Sequence, residues 1–281
     1  PLLYQLSYST IFTACACKYN IYLFTNITMH FINLCSYIKN IIKMNLAIDI
    51  GNTNSKIAVF DKNNMILYKS FLKISKDTID SVFAKYSIVS ACISNNGSKS
   101  SFLLEWLKAK KIKIFTVSSN LQLPLELKYK TPKTLGSDRI ALAVGSMQYE
   151  GQKLIIDLGT CITYDLVIGR KHLGGQISMG VNMRLKALST QTSALPNLDF
   201  EIPCSFIGET TRESMLIGVY ESIFFELQSV IDKYKVRYPS IITILTGNDS
   251  KFFEKRLKNL SFINPFLLME GLNYIIASNE N

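Results

Sequence analysis

Two segments of the sequence carry an aspartate and a glycine, two residues apart, at the end of an apolar stretch. They are LAIDIGNTNSKIAVF (residues 46–60) and LIIDLGTCITYDLVI (residues 154–168), in which Asp49 and Gly51 correspond to Asp157 and Gly159. A hairpin turn built on glycine and small polar residues exposes backbone N–H groups that can bind an anion. The two segments therefore predict a pair of β-hairpins whose turns bind phosphate.

The aspartate beside each turn adds a second requirement. A carboxylate would repel a bound phosphate unless a cation lay between them, so the pairing predicts a metal–nucleotide site. A single Asp-x-Gly turn is common in purely structural hairpins, whereas two copies in equivalent places are a stronger signal. A third segment, IITILTGNDSKFFEKRL (residues 241–257), predicts a strand, a glycine turn and a helix. That helix could hold a ligand at its N-terminus or be an ordinary connection.

The elements around these turns indicate the fold. The sequence contains no Walker A motif, no GxGxxG, no GxSxG and no HExxH, so P-loop and Rossmann nucleotide sites are set aside. Duplicated halves with a strand–turn–strand phosphate loop and an acid are typical of actin-like, sugar-kinase-like and Hsp70-like ATPases. We predict an α/β fold of two duplicated actin-like ATPase (ribonuclease H-like) domains, residues 44–150 and 151–281, with the ATP cleft between them.

Charge and cysteine content limit the class of partner. The net charge is +10 from 31 basic and 21 acidic residues, but the lysines are scattered and the only tight cluster spans residues 108–113. A nucleic-acid binder would concentrate its charge in one stripe, so we predict a solvated helix face and anionic substrates, with no nucleic-acid partner. The six cysteines show no CxxC spacing, which favours free thiols and a cytoplasmic location over a zinc site or a disulfide framework.

Residues 1–43 differ in composition from the rest of the chain, because they contain no acidic residue. The 20 residues between Lys18 and Lys39 have no formal charge and could span a bilayer by length, but several asparagines and a histidine oppose insertion. Met44 directly precedes the first predicted strand. We expect residues 1–43 to be a non-native, poorly ordered upstream extension, with no membrane partner; a membrane anchor is the alternative.

Six segments, in this order, resemble the type III pantothenate kinases over residues 44–281. They are DIGNTNSK (49–56), YKTPKTLGSDR (129–139), DLGTCITYD (157–165), GGQISMG (174–180), IGETTRESMLIG (207–218) and LTGND (245–249). The resemblance implies ATP-dependent phosphorylation of pantothenate to 4′-phosphopantothenate, the first step of coenzyme A biosynthesis. It also implies use of Mg²⁺ and of a monovalent cation, K⁺ or NH₄⁺, by a homodimer.

The resemblance further implies roles for individual residues. The first ATP phosphate loop would comprise Asp49, Ile50, Gly51, Asn52, Thr53, Asn54, Ser55 and Lys56, with Asp49 holding magnesium through water. Thr160 would contact the nucleotide phosphates, and Asp157 would bind the monovalent cation. The pantothenate contacts would be Tyr129, Gly136, Ser137, Asp138, Arg139 and Thr211, with Asp138 as the catalytic proton acceptor.

The chemistry of phosphoryl transfer supports the assignment of Asp138 independently. Transfer to an alcohol requires an oriented hydroxyl and a nearby group that takes its proton, and an aspartate with an ordinary pKa is ionised at neutral pH. Ser137 could cap the helix that begins here, and the guanidinium of Arg139 is suited to a carboxylate. The alternative is that Asp138 is only a first-turn helix acid paired with Arg139.

Three positions depart from the family pattern: Met179 replaces a usual proline, Asn248 a usual glycine and Cys161 a common alanine.

Two other functions are left open. A non-catalytic regulatory relative would not need the catalytic acids, and a different small-molecule kinase, such as a sugar or acetate kinase, is usually longer. Residues 212–231 predict a strongly apolar helix that could belong to the core or cover a second subunit.

Overall fold

The computed structural model describes residues 43–95 and 101–280. The predicted upstream extension, and with it the alternative of a membrane anchor, lies outside the described residues apart from Lys43. Residues 43–281 form one compact unit.

The first sheet contains the first predicted hairpin. Its strands are β1 (Met44–Ile50), β2 (Ser55–Asp61), β3 (Asn64–Phe71), β4 (Ile88–Asn95) and β5 (Lys113–Thr116), in the order β3-β2-β1-β4-β5. β1 pairs antiparallel with β2 and parallel with β4. Leu46 and Ile48 pack on one face of the sheet with helices α1 (Lys76–Lys85) and α2 (Ser101–Ala109), and Ala47 packs on the other. Because both faces are covered, the centre of β1, residues 46–48, is continuously apolar rather than alternating.

The second sheet repeats this plan around the second predicted hairpin. Its strands are β6 (Glu126–Leu127), β7 (Gln152–Leu158), β8 (Cys161–Ile168), β9 (Lys171–Met179), β10 (Ile242–Thr246) and β11 (Phe262–Ile263), in the order β11-β10-β7-β8-β9-β6. β7 pairs antiparallel with β8 and parallel with β10. An antiparallel three-strand meander flanked by parallel strands occurs in both sheets, so the predicted α/β fold with two related halves is confirmed.

Two helices join the sheets. α3 (Ser137–Gly145), which follows a 3₁₀ turn at Pro132–Thr134, packs against the C-terminal helix α6 (Leu267–Glu280). A Cβ at Gly271 would overlap the carbonyl oxygen of Ala141, so the absence of a side chain lets the helices approach closely. The core around α3 and α6 includes Ala47 of β1 and Ile155 of β7. α3 and β6 come from the predicted first half, yet β6 pairs with β9 of the second.

The remaining helices cover the second sheet. They are α4 (Val181–Gln191) and α5 (Thr211–Arg237). α5 begins with a capping box between Thr210 and Glu213, and it buries Met215, Leu216, Ile217, Val219, Tyr220, Ile223, Leu227 and Ile231. Within the described ranges it is the one helix long and apolar enough to cross a membrane, but its buried side chains pack in the core with β7 and β8. The apolar helix predicted for residues 212–231 is confirmed.

The helix predicted after the third glycine turn is absent. Residues 250–252 form a single 3₁₀ turn, and the chain continues through turns to β11. The reason is tertiary packing: the adjacent rings of Phe252 and Phe253 contact Phe200 and Tyr220, with centroids 5.0 and 5.1 Å away respectively. An α-helix would not direct two consecutive side chains into the same aromatic cluster.

Candidate active site

The two hairpin turns line one cavity of about 230 Å³. The hydroxyl oxygens of Thr53 and Thr160, one from each turn, lie 2.8 Å apart. Each turn is closed by its glycine: the N–H of Gly51 donates to Asn54 O, and the N–H of Gly159 donates to Cys161 O. The cavity is lined by Asp49, Gly51, Asn52, Thr53, Asn54, Lys56, Asp138, Asp157, Gly159, Thr160, Cys161, Thr163, Asn182, Met183, Gly247, Asn248, Asp249 and Leu268.

The third glycine segment completes the cavity wall as a turn. Gly247 has φ +92°, and a Cβ there would lie 2.5 Å from Asp157 Oδ1. The backbone N–H of Asp249 donates to Leu158 O at 3.1 Å. The turn is therefore packed onto the end of β7, and only glycine adopts this conformation without strain at so close an approach. Burial raises the pKa of Asp249, and Lys251 opposes that shift.

Burial also raises the pKa of two further carboxyl groups of the cavity. Burial raises the pKa of Asp49 to about 6, against the opposing charge of Lys56, its cross-strand neighbour. Burial raises the pKa of Asp157 to about 7, again opposed by Lys56, while the charges of Asp138 and Asp49 raise it further. The cavity is therefore lined by four carboxyl groups, those of Asp49, Asp138, Asp157 and Asp249, and one lysine, and an added cation would stabilise the ionised carboxylates.

The donor set fits cations held partly by water. Oδ1 of Asp49 is buried without a hydrogen-bond partner in the part of the chain that the structure describes, which is the environment that a cation or its water shell would satisfy. Residues 43–95 and 101–280 contain no group of three His, Cys, Asp or Glu residues able to hold a metal ion. Mg²⁺ keeps several waters and needs only one or two carboxylates, so the site fits magnesium bound through water.

Asp138 brings an acceptor to the same cavity from the first turn of α3. Its Oδ1 accepts a hydrogen bond from the backbone N–H of Arg139 at 2.7 Å. The prediction that Ser137 caps this helix is wrong, because Gly136 is the N-cap and Ser137 is already helical. The hydroxyl of Ser137 instead accepts from the Asn95 N–H at 2.9 Å. This bond joins the start of α3 to the end of β4. It gives the backbone N–H of Asn95 a hydrogen-bond partner where the strand ends.

Arg139 is buried beside the cavity rather than in its wall. Its Nε lies 3.0 and 3.1 Å from the carboxylate oxygens of Asp165, and its Nη2 lies 2.7 Å from Oδ1. Its ion pair is thus with Asp165 and not with Asp138. The guanidinium lies 5.7 Å from the centre of the Tyr129 ring.

The structure brings together most, but not all, of the residues singled out from the sequence. Those that line the cavity are Asp49, Gly51, Asn52, Thr53, Asn54, Lys56, Asp138, Asp157 and Thr160. Those that do not are Ile50, Ser55, Tyr129, Gly136, Ser137, Arg139 and Thr211. Ser55 is buried in β2, and Thr211 is exposed at the first position of α5.

Sequence reasoning assigned no role to several cavity residues, including Asn182 and Met183 at the start of α4. The sequence feature that could have identified them is Gly180, the N-cap of that helix. A Cβ at Gly180 would overlap the carbonyl oxygen of Gly159, so the start of α4 is packed directly onto the second turn. The sulfur atoms of Cys161 and Met183 lie 3.8 Å apart.

Comparisons with known proteins show the family of this chain. The family model for type III pantothenate kinase matches residues 45–233. A type III pantothenate kinase from Bacteroides fragilis (strain YCH46) is 37% identical over 241 residues, covering 84% of this chain and 99% of that protein. One from Flavobacterium johnsoniae is 38% identical over 238 residues, covering 82% and 96%. In fold alone, the chain is similar to a Campylobacter jejuni protein described as a Baf family transcriptional activator. Their TM-score is 0.55 and identity 22%, over 84% of this chain and 99% of that one. The chain belongs to the type III pantothenate kinase family.

Proposed function

We propose that this protein transfers the γ-phosphoryl group of ATP to the 4′-hydroxyl of pantothenate, producing 4′-phosphopantothenate in the first step of coenzyme A biosynthesis. The observation that carries the proposal is that both glycine turns and Asp138 line one cavity. Phosphoryl transfer needs a phosphate-binding surface next to a group that accepts the proton of the acceptor hydroxyl. This cavity contains both.

We assign ATP to the two turns. The phosphates would lie against the Thr53 and Thr160 hydroxyls, which already meet, and Lys56 would supply positive charge from the start of β2, next to the first turn. Asp49 would hold Mg²⁺ through water, and Asp157 would hold the K⁺ or NH₄⁺ ion. Bound there, these cations would neutralise charge on the phosphates.

We assign the acceptor hydroxyl to Asp138. Its Oδ1 is held by the backbone N–H of the next residue, which fixes the carboxylate on the helix. We therefore infer that Oδ2 accepts the hydroxyl proton late in the transfer. Arg139 would contact the pantothenate carboxylate, with Tyr129, Gly136 and Ser137 completing the acceptor side.

We also propose that the active form is a homodimer built on an apolar face of the second half. Ile177 and Met179 are exposed on the same side of β9, two residues apart. Arg184 of α4 donates to Met179 O and forms an ion pair with Glu226 of α5. The exposed residues Met183 and Phe225 lie beside these polar groups in the sequence, and Phe206 and Ile207 are exposed in the preceding loop. Met183 also lines the cavity, so a second subunit here would border the substrate site and could supply Thr211.

A cytoplasmic location without a membrane or nucleic-acid partner is part of the proposal. The apolar helix α5 is used by the core. In the basic cluster, Lys110 pairs with Asp80 and lies 4.4 Å from the centre of the Trp106 ring. Both contacts support packing of α2 at the protein surface rather than a nucleic-acid stripe.

A coupled assay of ADP formation in potassium buffer, with and without pantothenate, tests the function. We expect ADP formation to depend on pantothenate. If ADP forms only with another small alcohol, the protein is a different kinase of this fold. If no alcohol supports turnover, a non-catalytic regulatory role replaces the proposal.

Sedimentation of the wild-type protein and of Ile177→Glu tests the dimer. We expect Ile177→Glu to be monomeric and Leu72→Glu, an exposed residue of the first half, to remain dimeric.

A further inference from the structure

A buried polar cluster holds the side chain of Arg139, which follows Asp138 in the first turn of α3. The cluster consists of Arg139, Asp165 of β8 and His172 of β9, and the side chains of Asp165 and His172 are fully buried. Asp165 receives Nε and Nη2 of Arg139 and, at 2.6 Å, Nε2 of His172. One carboxylate thus accepts hydrogen bonds from three nitrogen atoms of two side chains, and these bonds fix its position.

The glycine pair of β9 makes room for this cluster. Gly175 lies opposite Asp165 in the β8–β9 register, and a Cβ there would be 3.1 Å from Arg139 Nη2 and would overlap Tyr164 O. Gly174 has φ +111°, and its Cβ position would contact the Tyr129 ring. Side chains at these two positions would displace the guanidinium or the ring above it. The local structure of β9 is therefore arranged around Arg139.

Hydrogen bonding within the cluster indicates which nitrogen of His172 faces Asp165. Nε2 lies 2.6 Å from Asp165 Oδ1, and Nδ1 is buried without a partner among the described residues. With a hydrogen on Nε2, the imidazole donates to Asp165 and leaves an acceptor, rather than a donor, unsatisfied.

We propose that Asp165 and His172 are positioning residues that orient the Arg139 guanidinium for the acceptor substrate. Asp165 binds Nε and Nη2, and Tyr129 also hydrogen-bonds the guanidinium. We assign the substrate carboxylate to Nη1, the nitrogen that Asp165 does not bind, and His172 holds Asp165 in place. This inference rests on the proposed function, because it takes the carboxylate of pantothenate as the group that Arg139 binds. The Arg139 side chain is only 5% exposed, which suits contact through a single nitrogen.

The position of the cluster predicts which kinetic constant it controls. Asp138, which would take the proton, is held by a backbone N–H and not by the Arg139 side chain. The phosphate turns line the cavity, whereas Arg139 does not. Loss of Asp165 should therefore weaken pantothenate binding while chemistry and ATP binding persist.

The test is the KM for pantothenate, the KM for ATP and kcat of Asp165→Asn. In the asparagine, an NH₂ group replaces one of the carboxylate oxygens that accept from Arg139, so two donors face each other. We expect the KM for pantothenate to rise about 10-fold to 100-fold, the usual effect of losing a hydrogen bond to a charged group. The KM for ATP and kcat should stay within about threefold of wild type. Glu221→Gln is the matched control, since it removes the carboxylate of an ion pair with Arg256 on the outside of α5, and it should change none of the three.

If Asp165→Asn does not fold, two His172 variants test the positioning role instead. His172→Gln retains a donor that can reach Asp165, and we expect it to keep the wild-type KM for pantothenate. His172→Leu removes the donor and should raise that KM by about fivefold or more. A purely structural cluster would instead lower thermal stability in each variant without a selective change in KM.

The outcomes separate this inference from the proposed function. If the wild-type enzyme phosphorylates pantothenate and the Asp165 or His172→Leu variant binds it with unchanged or tighter KM, the inference is overturned and the function stands. If the wild-type protein shows no pantothenate-dependent turnover, the proposed function and this inference fall together.

Discussion

The hydroxyls of Thr53 and Thr160 are in hydrogen-bonding contact at 2.8 Å, although 107 residues separate them in the sequence. Thr53 lies two residues after Gly51 and Thr160 lies one residue after Gly159, and each turn follows the first strand of a hairpin. The contact therefore joins the corresponding turns of two related halves. A ligand with several phosphate groups could accept hydrogen bonds from both turns at once, because one cavity exposes both.

Replacing Asp138 with asparagine should remove the proton acceptor while keeping the shape of the side chain. We expect kcat for pantothenate phosphorylation to fall by about 10²–10⁴-fold, the usual contribution of a positioned general base. ATP binding, measured by calorimetry, should be nearly unchanged because the nucleotide is assigned to the two turns. Near-normal turnover of this variant would contradict the role of Asp138.

Replacing Asp157 with asparagine should produce a different defect. The variant loses the charge that we assign to the monovalent cation, so the K⁺ concentration giving half-maximal activity should rise by about tenfold or more. Activity measured over a KCl series, with choline chloride holding ionic strength constant, reports this effect. An unchanged K⁺ dependence would mean that the cation binds elsewhere.

The stability of the cation-free protein should depend on pH through the same carboxyl groups. The pKa values of Asp49 and Asp157 are raised from 3.8 to about 6 and about 7, so the folded protein binds protons more tightly than the unfolded chain. The contribution of these groups to the free energy of unfolding therefore grows as pH falls from about 7 towards about 4, and it declines again as pH rises.

Thermal denaturation at pH 5.5 and pH 7.5, in chelator and in choline chloride buffer free of K⁺ and NH₄⁺, checks this dependence. Asp157→Asn mimics the protonated group, so it should be more stable than wild type at pH 7.5 and should gain less on acidification. Identical pH profiles for the two proteins would show that burial of Asp157 does not affect stability.

The close contact between α4 and the second turn predicts a selective effect at Gly180. In Gly180→Ala the new Cβ would overlap the carbonyl oxygen of Gly159 and lie 2.6 Å from that of Thr160. We expect the turn to shift and the KM for ATP to rise by about tenfold. Gly218→Ala is the control, since nothing lies within 4 Å of its Cβ position in α5, and it should stabilise the helix by about 0.5–1 kcal/mol. Equal KM values for ATP in the two variants would refute the proposed contact.

The hairpins were predictable from the sequence because they depend on local patterns, and their common cavity followed from the fold class that the duplicated hairpins indicate. The apolar runs around Asp49 and Asp157 are long enough to define buried strands, and the glycines two residues later mark the turns. The position of Asp138 in the cavity followed from the family resemblance.

The cluster around Arg139 was not predictable in the same way. It depends on the β8–β9 register, which brings Gly175 opposite Asp165, and on how α3 docks against that sheet. Neither relationship leaves a local pattern. Local propensity also gave the wrong structure after Gly247, where the packing of Phe252 and Phe253 replaced a helix with a 3₁₀ turn.

The most direct test of the proposed function is identification of the reaction product by mass spectrometry. Purified protein is incubated with pantothenate, ATP, Mg²⁺ and K⁺, with Asp138→Asn as the matched control. We expect the wild-type protein to convert pantothenate into a species heavier by one phosphoryl group, esterified at the 4′-hydroxyl, in step with ADP formation. The variant should form this species far more slowly. Unmodified pantothenate after complete incubation with folded wild-type protein would contradict the proposed function.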